Sequence, residues 1–483
     1  MRHHPAERKT VTPGAAGKWP TMAAVGLGTF MSALNASIVN IALPYIGTAF
    51  QASLGTTEWV VMAYLLIISS LLLTFGRLGD IYGHRPLYNL GLFLFAVGSA
   101  LCALAPSIHV LIACRVFQGL GAGMVMAIGP AVLTAAFPAT ERGKALGLLG
   151  TSVAMALALG PTVGGLLLYY FDWRYIFLLN VPIGITALFL SWRVLAPGVR
   201  RERPFDLPGS LVLFVALGSL LLALSHGQEW GWSTPPVLGL LILAAAGFAF
   251  FIRHQGRIPH PMVPLALFRN RVFSAANISQ LLNFIVQYTV VFLLPFYFKE
   301  VLRLAPAAGG LLLSSFPLTM MVVAPLAGAL SDRIGSRSLA ALGMGLGTVS
   351  LLLLAALDAG SRTWAVVGPL LLLGLGNGVF QAPNNSAIMG AVPREHQGLA
   401  GGFMASMRNI GMVMGVALAG AVFNTRLAAH HASLHAAGLS GGALQDRAFV
   451  AALHDALMVS AGLGLIGVIT SLVRGDGDRP AKA

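Results

Sequence analysis

Two arginines, Arg115 and Arg408, stand inside long apolar runs. A cation held away from water is costly unless it meets an acceptor or faces a water-filled cavity, so each reads as a functional group by default. Asn35, inside the first apolar run, is placed at a depth where it would meet Arg115. Glu58 and Asp80 lie close to run ends and are the nearest candidates for a carboxylate that takes up and releases a proton, since Asn35 cannot titrate. Gln118, Asn283, Gln287, Asn377 and Asn384 are further polar groups at membrane depth, where each needs a partner or water. Tyr288 and Phe380 join the last four as candidate cavity-lining positions. No spacing of His and Cys suggests a metal: Cys102 and Cys114 read as packing residues, and His430, His431, His435 and His454 as part of a solvated outer loop.

These residues need apolar elements to hold them. The chain has 483 residues, 57% hydrophobic and only 10% charged. Hydrocarbon is therefore its main solvent, and the expected fold is an all-α polytopic membrane protein. About fourteen windows are long enough to cross a bilayer, beginning near Trp19, Thr57, Pro86, Ile108, Lys144, Tyr175, Asp206, Pro235, Val272, Ala305, Ser338, Arg362, Leu399 and Asp455. The longest outer loop is expected between Thr425 and His454. The net charge of +14 does not imply nucleic acid, because the basic residues form short clusters between spans. Roughly 22 of the 30 basic residues fall on one side, which puts that side and both termini in the cytoplasm. The polar, basic start of the chain lacks the apolar core of a cleaved signal peptide.

A ten-residue turn recurs. Gly76-Arg-Leu-Gly-Asp-Ile-Tyr-Gly-His-Arg85 follows the second span, and Gly328-Ala-Leu-Ser-Asp-Arg-Ile-Gly-Ser-Arg337 follows the tenth, with Gly, Leu, Asp, Gly and Arg in register. The chain is thus read as a tandem of two like halves. The repeated turn resembles the cytoplasmic loop signature of the major facilitator superfamily. Leu34 to Pro44, Glu58-Trp-Val-Val-Met-Ala-Tyr64, Arg115-Val-Phe-Gln-Gly-Leu-Gly-Ala-Gly123 and Asp172-Trp-Arg to Gly184 resemble its fourteen-span drug:proton antiporters.

The resemblance implies two six-helix bundles plus two linker helices, with substrate bound between the bundles near the midplane. The expected division is a cytoplasmic tail over 1–18, an N-terminal bundle over 19–197 and a two-helix linker over 198–258. A C-terminal bundle over 259–474 and a cytoplasmic tail over 475–483 complete it. Asp80 and Asp332 would latch the cytoplasmic mouth with Gly76, Gly83, Arg85 and Arg337, breaking when the halves rock apart. Gly160, Pro161, Gly164 and Gly165 would give a kinked, close-packing face that is similar to the antiporter signature of exporters.

The implied activity is export of small amphipathic molecules or drugs across the inner membrane by alternating access, coupled to proton influx. One departure weighs on coupling: Asn35 stands where the multidrug members commonly carry an acid. A positive Arg115 cavity without a deep carboxylate would favour anionic cargo. The expected partners are a small-molecule substrate, protons and the lipid bilayer. The chain is expected to act as a monomer, with room for a periplasmic adaptor, without nucleic acid, metal or cofactor. A metabolite facilitator or importer on the same fold is the alternative. A lipid-modifying enzyme would need a convergent acid and histidine set, of which His84 beside Asp80 is the only trace.

Overall fold

The computed structural model describes residues 17–138, 141–195, 206–259, 261, 265–392 and 397–474. Among these, fourteen spans are long and apolar enough to cross a bilayer. The first six are α1 (Lys18–Phe50), α2 (Leu54–Tyr82), α3 (His84–Ala103), α4 (Ile108–Ala136), α5 (Arg142–Tyr170), and a broken span of α6 (Arg174–Leu178) and α7 (Asn180–Val194). Next come α8 (Leu207–Trp230) and α9 (Pro235–Gln255). The remainder are α10 (Arg271–Phe296), α11 (Pro306–Ile334), α12 (Ser336–Ala355), α13 (Trp364–Gly390), α14 (Gln397–Ala436) and α15 (Gly441–Leu472). A π-helical turn, Tyr297–Val301, extends α10 just past Pro295.

Polar side chains start several of these helices where backbone N–H groups lack partners. Ser53 accepts from Thr56 N–H, Ser107 from Val110 N–H, Asp206 from Gly209 N–H and Asn270 from Val272 N–H. The repeated turns have the same backbone in both halves. Gly83 (φ 97°) separates α2 from α3, and Gly335 (φ 86°) separates α11 from α12. Each donates its N–H to the carbonyl four residues back, Gly79 and Ser331 respectively. Only glycine takes this conformation without strain, which explains why that position repeats.

Helices α1 to α7 pack on one another, as do α10 to α15. Within each set the helix after the repeated turn meets the next one backbone to backbone. A Cβ on Gly91 would lie 3.0 Å from Gly121 O, and one on Gly343 would lie 2.5 Å from Gly376 O. Small residues thus take the place of bulky packing, as is usual between helices in lipid. The halves meet along two seams, α2 with α14 and α5 with α11. The α8–α9 hairpin rests through α8 on the α2–α14 seam.

The contact of Gly165 with Pro306 fixes relative orientation. It joins the end of α5 away from Arg142 to the start of α11, so Gly83 and Gly335 fall at one shared end of the bundle. We call this the turn end and its opposite the far end.

One expectation is corrected. An extended loop over 425–454 and a last span from Asp455 do not occur: α14 runs on to Ala436, α15 begins at Gly441, and only 437–440 intervene. The segment is rich in Ala and Leu, strong helix formers, and its polar residues mark an exposed helix surface. With 40 residues, α14 is about 60 Å long, twice the hydrocarbon thickness. Asp455 ties the projecting hairpin together by accepting from Arg426 (2.5 Å) and contacting His430 (2.8 Å), and Arg303 binds Asp446 across to the α10–α11 connection (3.0 Å).

Candidate functional site

Arg115 is completely buried inside the N-terminal half. Its Nε donates to Val60 O of α2 (2.7 Å), its Nη1 donates to Gln118 Oε1 (2.5 Å), and its guanidinium lies 4.1 Å from the Tyr64 ring centroid. Gln118 passes the network on, donating to Ser99 Oγ of α3 (2.7 Å) and to Asn35 Oδ1 of α1 (3.4 Å). Asn180 of α7 donates to the same Asn35 oxygen (3.3 Å). The expected meeting of Asn35 and Arg115 therefore occurs through Gln118. A glycine permits it: the Gln118 backbone packs 2.8 Å from where a Cβ on Gly98 would stand. The charge is met by neutral acceptors and an aromatic face, so five helices are pinned without a carboxylate. Ser99, Asn180 and Tyr64 were missed from sequence. Their signal was present, since a buried arginine demands acceptors from neighbouring spans, but which spans neighbour one another is a tertiary fact.

Between the halves lies a small space walled by α1, α5, α10 and α11. Its polar lining is Ser37, Asn40, Gln287 and Tyr288, and its apolar lining includes Leu157, Pro161, Phe316 and Met320. Asn40 Oδ1 and Gln287 Oε1 have no hydrogen-bond partner among the described residues. They are acceptors ready for a donor on a guest. Of the predicted lining residues, Gln287 and Tyr288 are here. Asn283, Asn377, Asn384 and Phe380 are not: all are buried within the C-terminal half. Asn283 Nδ2 approaches Met344 Sδ (3.6 Å), Asn377 bonds its own helix at Leu373 O (3.1 Å), and the Phe380 backbone abuts Gly343. Asn384 accepts from Arg474 and donates to Gln280 Oε1 (3.1 Å). Arg115 does not line this space either.

The far end is closed above this space. Pro161 O touches Gly310, Gly165 meets Pro306, and Thr162 Oγ1 and Ser314 Oγ share a hydrogen bond (2.7 Å). Gly160 and Gly164 seat α5 on Ser37, Ile38 and Ile41 of α1. Lys299, in the π-helical turn, donates to Pro44 O (2.8 Å) and to Thr48 Oγ1 of α1, with Tyr45 at 4.9 Å. Glu58 is fully buried on the α2–α14 seam, where its carboxylate occupies the room that a side chain at Gly420 of α14 would need. His109 is exposed and far from any such role.

At the turn end, the side chains of Asp80 and Asp332 lie outside the described residues, so the latch expected of them is not placed. Arg85 donates to Trp192 O (2.6 Å), capping the last turn of α7. Gly76 is open to added bulk, and Arg337 is half-buried. Arg408, on α14, is half-buried and makes no hydrogen bond or ion pair among the described residues.

Comparison with known proteins agrees with this architecture. The family model described as Major Facilitator Superfamily matches residues 25–416. A riboflavin transporter, RibZ, of Clostridioides difficile is 38% identical over 84% of this chain and 88% of its own. The multidrug resistance protein Stp of Mycobacterium tuberculosis is 36% identical over 85% of this chain and 76% of its own. A bacterial homologue of the human lysosomal transporter Spinster, solved in an inward-facing and occupied conformation, superposes with a TM-score of 0.67. It shares 12% identity, covers 94% of this chain and 96% of its own, and supports the fold alone. Two packed six-span halves, the family match along most of the chain and these relatives lead to one conclusion: this multi-pass membrane protein is a transporter, not an enzyme, and belongs to the Major Facilitator Superfamily.

Proposed function

We propose that the protein is a secondary active exporter of small amphipathic molecules in the inner (plasma) membrane, driven by exchange for protons. The observation that carries this reading is the central space sealed at the far end by contacts between the halves. Such a seal must open for a guest to leave on that side, which is alternating access. The basic-residue bias puts the turn end and both termini in the cytoplasm. The sequence holds no Walker-type phosphate loop, so a gradient supplies the energy. Kinship with a protein named for multidrug resistance supports export. Glu58 is the proposed proton carrier. Its carboxylate is buried on a seam that must slide, so neutralising it changes the cost of moving α14 past α2.

Inside-out vesicles with an imposed acid interior test this reading. Uptake of a lipophilic fluorescent probe that collapses with the pH gradient is expected. Uptake that follows only the probe's own gradient would establish a facilitator instead, the reading favoured by the kinship with a riboflavin transporter.

A further inference from the structure

Asn40 and Gln287 line the central space from opposite halves, Asn40 on α1 and Gln287 on α10. Both are more than nine-tenths buried, at 2% and 5% exposure. The Asn40 amide is oriented by its own helix: Nδ2 donates to Ala36 O (2.8 Å), which leaves Oδ1 to meet a guest. Neither Asn40 Oδ1 nor Gln287 Oε1 has a hydrogen-bond partner among the described residues. The neighbouring Ser37 does not serve them, because its one hydroxyl proton is given to Leu157 O (3.2 Å).

Two buried acceptors lining one small space are costly while unfilled. Water can fill such a place, and a guest that displaces it must bring donors of its own. No side chain that lines the space among the described residues carries a full charge, and the rest of the wall is apolar. A cation or an anion would therefore exchange its hydration for neutral dipoles and hydrocarbon, which is unfavourable for either sign. We propose that Asn40 and Gln287 select an uncharged cargo group that bears an N–H or O–H donor, as a lactam or an imide does. The apolar wall of Leu157, Phe316 and Met320 takes the ring system attached to it. Charge is thus excluded by the wall, and the donor is demanded by the two oxygens. The inference rests on the export reading in calling the guest cargo and deepens it by naming a substrate class, yet it concerns binding and can be tested without transport.

The test is equilibrium binding of matched fluorescent dyes to the purified full chain by fluorescence anisotropy. 4-Dimethylamino-1,8-naphthalimide is flat, uncharged and carries one imide N–H; its N-methyl derivative lacks only that donor. The native protein should bind the N–H dye about tenfold more tightly, although the added methyl group would by itself favour the other. The N-carboxymethyl and N-(2-trimethylammonioethyl) derivatives, one anionic and one cationic, should both bind more weakly than the N–H dye. Asn40→Leu and Gln287→Met should each lower the preference for the N–H dye, and the double variant should abolish it. Monodisperse elution in size-exclusion chromatography shows that the variants are folded. A native chain that binds the N–H dye no more tightly than the N-methyl dye, a charged derivative that binds as tightly as the N–H dye, or an undiminished preference in the double variant overturns the proposal. Donor-selective binding without pH-driven uptake would leave the proposal standing and remove the export reading.

Discussion

Lys299 Nζ donates to the Pro44 carbonyl at 2.8 Å, tying the end of α10 to a proline-kinked turn of α1 in the other half. The Pro44 carbonyl also accepts from Thr48 Oγ1 of its own helix (2.9 Å), so Lys299 engages a polar pair already set on α1. The bond must be lost whenever the far end opens. Lys299→Met therefore shifts the conformational balance toward the open far end, by about tenfold for a charge-assisted bond. Labelling of Thr162→Cys by a membrane-impermeant maleimide checks this, because that position is covered by Ser314 in the closed state. Faster labelling in the Lys299→Met background is expected; an unchanged rate would mean that Lys299 does not hold the seal.

Gly310 tests the α5–α11 seam. A Cβ there runs into Pro161 O, which belongs to backbone and cannot swing aside. Gly310→Val should fold, since the atoms its Cβ would meet, at Pro161 and Gly165, all belong to α5 of the other half, but it should prevent full closure of the far end. Vesicle uptake should fall by about tenfold, the cost of one overpacked contact. Wild-type uptake would show that this contact is dispensable.

The Arg115 network makes a stability prediction with an internal order. Gln118→Leu removes one of the two acceptors of a fully buried cation and should cost about 3 kcal/mol. Arg115→Met leaves only neutral acceptors behind and should cost less, about 2 kcal/mol. Denaturation of the purified protein, monitored by tryptophan fluorescence, ranks the two; the reverse order would show that Arg115 draws its compensation from elsewhere.

Asp206 anchors the linker hairpin. Burial opposes its charge, but His254 (2.7 Å), the Gly209 N–H (2.8 Å) and Gln255 (2.5 Å) together hold its carboxyl below the usual aspartate value of 3.8. A carboxyl whose folded-state value is depressed stabilises above its unfolded value, and that contribution disappears as pH falls through the depressed one. The α8–α9 hairpin should accordingly loosen only below about pH 4. Hydrogen exchange of α8 amides between pH 6 and 3.5 would reveal it, and Asp206→Asn should abolish the pH dependence. Loosening already near pH 6, or an unchanged pH dependence in Asp206→Asn, would show that the Asp206 carboxylate is not the anchor.

The spans and the twofold repeat were legible because both rest on local signals: apolar windows of bilayer length, and a glycine whose left-handed backbone recurs at 83 and 335. What stayed hidden depends on which spans touch. Asn384 looked like a cavity residue, yet it is committed to Arg474 and Gln280 inside one half. Arg115 and Arg408 looked alike as cations in apolar runs. Packing makes one a sealed structural hub and leaves the other half-buried on α14, without a hydrogen bond or ion pair among the described residues. The last span was placed too late because polar residues on an exposed helix have the composition of a loop.

The most direct measurement is the distance between the far-end rims of the two halves by pulsed electron paramagnetic resonance. Spin labels at Leu104→Cys and Trp364→Cys, 76% and 81% exposed, report it after Cys102 and Cys114 are replaced by alanine. Two distance populations are expected, with the longer one gaining at the expense of the shorter when Glu58 is replaced by Gln or a transported probe is added. A single distribution that does not respond to probe, pH or Glu58→Gln would contradict alternating access through this seal.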